Sequence, residues 1–149
     1  MREPVFTETM QIGIVVPDLD AAIRAYEDGY GIGPWSVFEV GPESGEDVRI
    51  HGRPAEYRCR AATAMVGQVM WELIEPLDET SLFARFLAEK GGGVHHVAVS
   101  TPDFDEALTA GTATGKPLVL SGRFGGIDIA YLPTEDDLGV PLEVFRRRS

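Results

Sequence analysis

The sequence of 149 residues predicts an α+β fold built from two tandem βαβββ modules. Three observations carry that reading. A strand–helix segment occurs twice, strand periodicity recurs in the same order behind each copy, and each module ends on a strand with a glutamate among apolar residues, Glu72 and Glu143. Gln11-Ile-Gly-Ile-Val-Val-Pro-Asp-Leu-Asp-Ala-Ala-Ile23 matches His96-Val-Ala-Val-Ser-Thr-Pro-Asp-Phe-Asp-Glu-Ala-Leu108 without a gap, 85 positions later. The proline, both aspartates and an alanine are identical, and the apolar positions agree in kind. Gln11 and His96 therefore hold equivalent places in an internal duplication.

The elements follow in order. Residues 9–16 alternate as a strand and stop at Pro17. A helix is expected over 18–28, with Leu19, Ala22, Ile23 and Tyr26 on its buried side and Asp18 or Asp20 at its N-terminal end. Gly29, Gly31, Gly33 and Pro34 break it, and 35–40 reads as the second strand. Residues 41–47 read as a polar loop, and Gly52 and Pro54 interrupt any regular pattern after Val48. A long strand is expected over 56–66 and another over 69–75, then a helix over 81–90 stopped by three glycines. The second copy gives a strand over 94–100, a helix over 103–110, strands over 117–121 and 127–131 around a turn at 122–126, and a last strand over 140–145. The whole is one domain, 1–149, with module one at about 8–76, a linker helix at about 77–92 and module two at about 93–146.

Composition narrows the function. Hydrophobic residues at 44% and charged residues at 25% are those of a soluble globular protein. No apolar run is long enough to cross a bilayer, and Met1-Arg-Glu-Pro does not open a signal peptide. Thirteen basic against 24 acidic residues give a formal charge of −11, which repels nucleic acid and anionic membranes. Cys59 is single, so no internal disulfide forms, and a reducing cytoplasm is the expected location. The run Arg146-Arg147-Arg148 reads as a solvated tail.

The chemistry-bearing residues lie on the duplicated strands. Glu72 and Glu143 each stand in a last strand whose neighbours are apolar, where a carboxylate is costly to bury without a partner or a cation. Each has two readings: an ion pair, with Arg58 or Arg60 for Glu72, or a ligand to a metal. His96 reads as a hydrogen-bonded core histidine or as a ligand.

In the order and spacing of Pro17-Asp-Leu-Asp-Ala-Ala22, Glu72-Leu-Ile-Glu-Pro-Leu77, Gly93-Val-His-His-Val97 and Leu142-Glu-Val144, the chain resembles the vicinal oxygen chelate superfamily. That group includes glyoxalase I, methylmalonyl-CoA epimerase, extradiol dioxygenases and bleomycin-resistance proteins, and the epimerase-like branch is the nearest in pattern. The resemblance implies a cup-shaped mixed sheet around one divalent metal ion, with ligands from the first and last strand of each module. Carried over, these are Gln11, Glu72, His96 and Glu143, with His96 rather than His95 because His96 aligns with Gln11. The epimerases usually have histidine at the first position, where this chain has Gln11. One nitrogen and three oxygens suit Mg, Mn, Co or Ni as much as Zn, and do not suit an extradiol iron site.

The implied activity is that of an isomerase, epimerase or lyase that removes a proton next to a metal-chelated carbonyl of a small organic substrate. Glu143 and Glu72 are the candidate proton-transfer groups, with Glu39 and Glu56 as weaker ones. Trp35, His51, Arg53, Tyr57, Arg123 and Phe124 are the candidate substrate-binding residues. Arg53, Arg58, Arg60, Lys116 and Arg123 are the cations available to an acyl-CoA. The alternative is a metal-free protein of the same fold that sequesters a small molecule, which the acidic balance favours. Exposed sheet edges lead us to expect a homodimer.

Overall fold

Pro-Asp marks both helix starts for a physical reason visible in the computed structural model, which describes residues 1–147. The Asp18 carboxylate caps helix α1 (Leu19–Arg24) by accepting from Ala21 N at 3.0 Å, and Asp103 caps α3 (Phe104–Gly111) by accepting from Glu106 N, also at 3.0 Å. Between them lies α2 (Leu82–Lys90), capped by Ser81 and closed by Gly91 in the left-handed conformation. A one-turn helix α4 (Glu135–Leu138), which the sequence reading lacked, precedes the last strand. The strands are β1 (Glu8–Val15), β2 (Ser36–Val40), β3 (Gly45–Ile50), β4 (Arg53–Pro54), β5 (Cys59–Val66), β6 (Val69–Pro76), β7 (Gly93–Ser100), β8 (Leu120–Phe124), β9 (Ile127–Leu132) and β10 (Leu142–Arg147). The fold class is the one expected, α+β with the glyoxalase-like plan. No helix among the described residues is long and apolar enough to cross a membrane.

The chain forms two compact units, one of Gln11–Pro42 with Glu56–His95, the other of Met1–Met10 with Glu43–Ala55 and His96–Ser149. In the first unit the strand order is β2-β5-β6-β1, with β1 and β6 parallel and the other pairs antiparallel. Helix α1 covers one face. Leu19 and Leu73 are fully buried there with Ala62 and Val16, and Ile14, Ala22, Ile23, Tyr26 and Trp35 pack around them. Each such leucine contributes roughly 1.5–3 kcal/mol by leaving water. The helix continues through a π-helical stretch, Ala25–Gly29, so its extent agrees with the expected 18–28.

In the second unit the order is β7-β10-β9-β8-β3-β4, with β7 and β10 parallel. Helix α3 buries Ala107 against Ala130, Leu132 and Val144. It comes close: a Cβ on Gly111 would stand 2.6 Å from Leu132 Cδ1, so no larger residue fits without movement. The first-to-last parallel pair and the antiparallel strands beyond it repeat the same plan in both units.

Three expectations are corrected. Residues 45–50 are a strand, not loop, because β3 pairs antiparallel with β8 from the other copy. A bulge between Glu46 and Arg49, with Asp47 at a φ of 50°, shifts the alternation that would have shown it. Gly122, Arg123 and Phe124 belong to β8, and the turn tightens to Gly125-Gly126. Arg146 is no free tail: it donates to Asp128 and Asp105 and lies 4.6 Å over the Phe104 ring. Arg148, the end of that run, lies outside the described residues.

Candidate functional site

Register aligns the candidate residues. In the second unit, Glu143 on β10 stands beside Ala98 on β7 and opposite Tyr131 on β9. Side chains two apart on a strand share a face, so His96, Glu143 and Tyr131 project to one side of the sheet, away from α3. All three are buried, with His96 fully so. His96 Nε2 is 3.2 Å from Glu143 Oε1 and 3.4 Å from the Tyr131 hydroxyl. The Tyr131 ring lies over the imidazole at 4.6 Å between centroids, tilted by 36°. His95, its neighbour in the chain, is held in the first unit between Phe83 and Phe86, each 5.0 Å away. The two histidines thus have different neighbours, Phe83 and Phe86 for His95, Glu143 and Tyr131 for His96.

The first unit repeats the register. Glu72 on β6 stands beside Gly13 on β1 and opposite Thr63 on β5, and Gln11 shares their face, away from α1. Gly13 and Ala98 are equivalent in the duplication, so both glutamates hold one register position, each opposite a hydroxyl-bearing residue. The Gln11 amide donates to Met70 Sδ at 3.5 Å. Arg60 does not partner Glu72: it faces the other side, on Asp20 at 3.2 Å and Glu75 at 3.6 Å. On the Glu72 side, burial, reinforced by Glu72 and Asp78, pushes the Cys59 thiol up to about 12.

What these atoms can hold follows from distance. Two ligands about 2.1 Å from one ion and at right angles lie about 3 Å apart. The 3.2 Å between His96 Nε2 and Glu143 Oε1 fits that spacing, and one imidazole nitrogen with one carboxylate suits a borderline divalent ion. Among the described residues, no three His, Cys, Asp or Glu side chains come together as a metal-binding group.

The other candidates disperse. Trp35 packs edge-on against Tyr26 and donates its indole N–H to Ile32 O at 2.9 Å. Tyr57 packs on Phe83. His51 and Arg53 are exposed at the β3–β4 turn. Phe124 shares the Tyr131 face, whereas Arg123 projects to the α3 side, bound to Glu46 and Asp128. There it lines a cavity of about 190 Å³ with Phe104, Leu108, Leu118, Asp128 and Arg146. Among the candidate cations, Lys116 is bound to Asp136, Arg60 to Asp20 and Arg123 to Glu46. Glu39 is exposed, and Glu56 is exposed and outside any strand. Tyr131 is the residue that sequence reasoning missed. Its place opposite the last-strand glutamate is visible only in the β9–β10 register.

Comparison with known proteins places these features among relatives. The model of the Glyoxalase/Bleomycin resistance protein/Dioxygenase superfamily matches residues 10–131. An uncharacterised protein of Bacillus subtilis (strain 168), YqjC, is 33% identical over 94 residues, 60% of this chain and 66% of that one, just under two thirds of its length. Methylmalonyl-CoA epimerase from Mycobacterium tuberculosis is 25% identical, with a TM-score of 0.70 over 100% of this chain and 93% of that one. A variant of the Streptomyces coelicolor methylmalonyl-CoA epimerase in complex with 2-nitronate-propionyl-CoA is 28% identical, with a TM-score of 0.71 over 95% of each chain.

Proposed function

The chain belongs to the Glyoxalase/Bleomycin resistance protein/Dioxygenase superfamily, and on that premise we propose that it is a metal-dependent enzyme of the epimerase-like branch. It acts as an isomerase or epimerase, or as a lyase, on a small carbonyl compound by removing the proton next to the carbonyl. The observation that carries this reading is the buried His96–Glu143 pair, at a register where Gln11 and Glu72 recur in the other copy. A buried carboxylate is costly without a partner or a cation, and His96 is the group beside Glu143.

His96 and Glu143 would hold a divalent ion of Zn, Mg, Mn, Co or Ni type, and Gln11 and Glu72, which the family resemblance adds to the ligand set, stand at the same register of the first unit. Such an ion supplies Lewis acidity to the carbonyl oxygen. Glu143 takes up the proton and returns it, its orientation fixed by the neighbouring strands. Glu72, at the equivalent register of the first unit, is the second candidate proton-transfer group. Glu143 is buried, and Glu72 is half-buried. Arg60, Lys116 and Arg123 already bind carboxylates, so they do not offer free charge to acyl-CoA phosphates. A homodimer and a cytoplasmic location belong to the same reading, and sedimentation checks the first.

Solvent exchange tests it. In D2O, with each metal added in turn, the protein should place deuterium at C2 of methylmalonyl-CoA or of a short 2-hydroxy acid, or at C3 of a short 2-oxo acid. Glu143→Gln should slow that exchange at least 100-fold. No exchange with any of these compounds and metals overturns the proposal. The second reading, a metal-free binding protein, is favoured by the charge of −11. It predicts retention of a cationic small molecule on the protein without turnover.

A further inference from the structure

The face of the second unit's sheet that carries α3 holds a charged row that the proposed reaction does not use. Glu46, Arg123, Asp128 and Arg146 stand directly opposite one another across β3, β8, β9 and β10, so all four project to that face. Asp128 is buried at the centre and accepts from Arg123 Nε at 3.2 Å and from Arg146 Nη2 at 3.1 Å. One carboxylate between two guanidiniums leaves a positive charge over, in a chain whose formal charge is −11. The protein meets that surplus with Glu46, 3.3 Å from Arg123 Nη1, and Asp105, 3.4 Å from Arg146 Nη1, whose side chains are 76% and 79% exposed. Exposed pairs of this kind are weak and give way readily. Asp47, also at this cavity, is bound by Arg49 at 3.2 Å.

The next row on the same face is apolar, with Ala130 opposite Val144 and α3 packing Phe104 and Leu108 against them. Residues of both rows line the cavity of about 190 Å³, whose apolar wall is Phe104, Leu108, Leu118 and Ala130. An apolar cavity of about 150 Å³ admits a benzene ring. We propose that this cavity is a second small-molecule site and that it takes a carboxylate with a compact apolar body. The head takes the place of Glu46 or Asp105 on the guanidiniums, one carboxylate for another, so the exchange needs no free charge. Each guanidinium carries five N–H donors and, among the described residues, spends two on the bonds named, which leaves the fork that suits a carboxylate. Asp128 fixes both groups before a ligand arrives, and the Phe104 ring, 4.6 Å from Arg146 Cζ, adds to this for the second. Asp128 and Arg146 lie on the other face of β9 and β10 from Tyr131 and Glu143, so the site stands independently of the reaction proposed above.

The probe is benzoate, titrated into the whole chain after metal removal, with the backbone amide signals of the isotopically labelled protein followed by NMR. We expect saturable shifts at Leu118, Asp128 and Ala130, with a dissociation constant of about 10 mM or tighter, the ordinary yield for a molecule of that size. Benzylamine, the same ring with a cationic head, should give none. Arg123→Gln should weaken benzoate by about tenfold or more, the range for a hydrogen bond to a charged group. Glu46→Gln removes the competing carboxylate and should tighten benzoate by about two- to fivefold. A row that only braces the sheet would lower the melting temperature in Arg123→Gln and show no saturable benzoate shifts in any form of the protein. That result overturns the proposal, as do benzylamine binding in place of benzoate and shifts confined to the His96 face. A Glu46→Gln protein with unchanged or lower benzoate affinity overturns it too. Should Arg123→Gln fail to fold, Glu46→Gln and the benzylamine comparison still decide.

Discussion

Glu143→Gln separates a pair kept for binding from a pair kept for stability. In the folded protein Glu143 Oε1 lies 3.2 Å from a fully buried imidazole and is itself only 7% exposed. Were the pair structural, removing one charged partner would cost about 3–5 kcal/mol. At roughly 2–4 °C per kcal/mol for a chain of this size, the melting temperature would fall by about 6–20 °C. If the pair instead awaits a cation, glutamine replaces a charge that is costly to desolvate and keeps one neutral hydrogen bond of about 1 kcal/mol. The apo-protein should then stay within about 1 kcal/mol of wild type. A metal at 100 times its dissociation constant adds about 2.7 kcal/mol, a rise of about 5–11 °C. Scanning calorimetry with and without Mn²⁺, Co²⁺ or Zn²⁺ should show that rise in wild type and lose it in Glu143→Gln. A variant that melts far below wild type without metal, yet gains as much from metal, refutes the reasoning.

Three further outcomes follow from the packing. Asp18→Ala and Asp103→Ala should each cost about 1 kcal/mol in urea unfolding and add in the double variant, since each cap serves its own helix; strong non-additivity contradicts this. Gly111→Ala should destabilise by about 1–3 kcal/mol by overpacking Leu132, and a neutral result shows that β9 yields there. For Asp78, burial raises the carboxyl's pKa, but N–H donors from Arg58 and Ser81 outweigh it and hold the carboxyl below its ordinary value. A lowered folded-state value stabilises above the unfolded value of about 3.9 and is lost as pH falls through the folded one. Asp78→Asn should thus be less stable than wild type near neutrality, with the gap closing in acid, and a gap that widens there contradicts it.

The duplicated segment made much of the fold legible, because Pro-Asp followed by an amphipathic run dictates strand end, cap and helix in both copies. The hairpin of β3 and β4 was hidden for two reasons. Its bulge at Asp47 breaks the alternation, and its partner β8 lies some 75 residues away, beyond any local pattern. Arg146 looked terminal and solvated, yet strand parity turns it onto α3 and Asp128. At the site, His96 and Glu143 could be chosen because the duplication marks them. Tyr131 was passed over because an aromatic in an apolar strand usually signals packing alone, and only the β9–β10 register shows which residue it opposes. Among the substrate-binding candidates, Arg123 and Phe124 are consecutive in the sequence and fall on opposite faces of β8.

The pairing of β3 with β8 has a consequence for the two copies as evolutionary units. Residues 43–55 belong to the first copy in sequence and complete the sheet of the second unit. A fragment beginning at Gly93 would carry every element of the later repeat and still expose the raw flank of β8, with amides and carbonyls open to any passing strand. Severed from residues 43–55, that half should clump rather than fold. A cut between the two copies would therefore fall beside the β3–β8 pairing and leave the later copy with an open sheet edge.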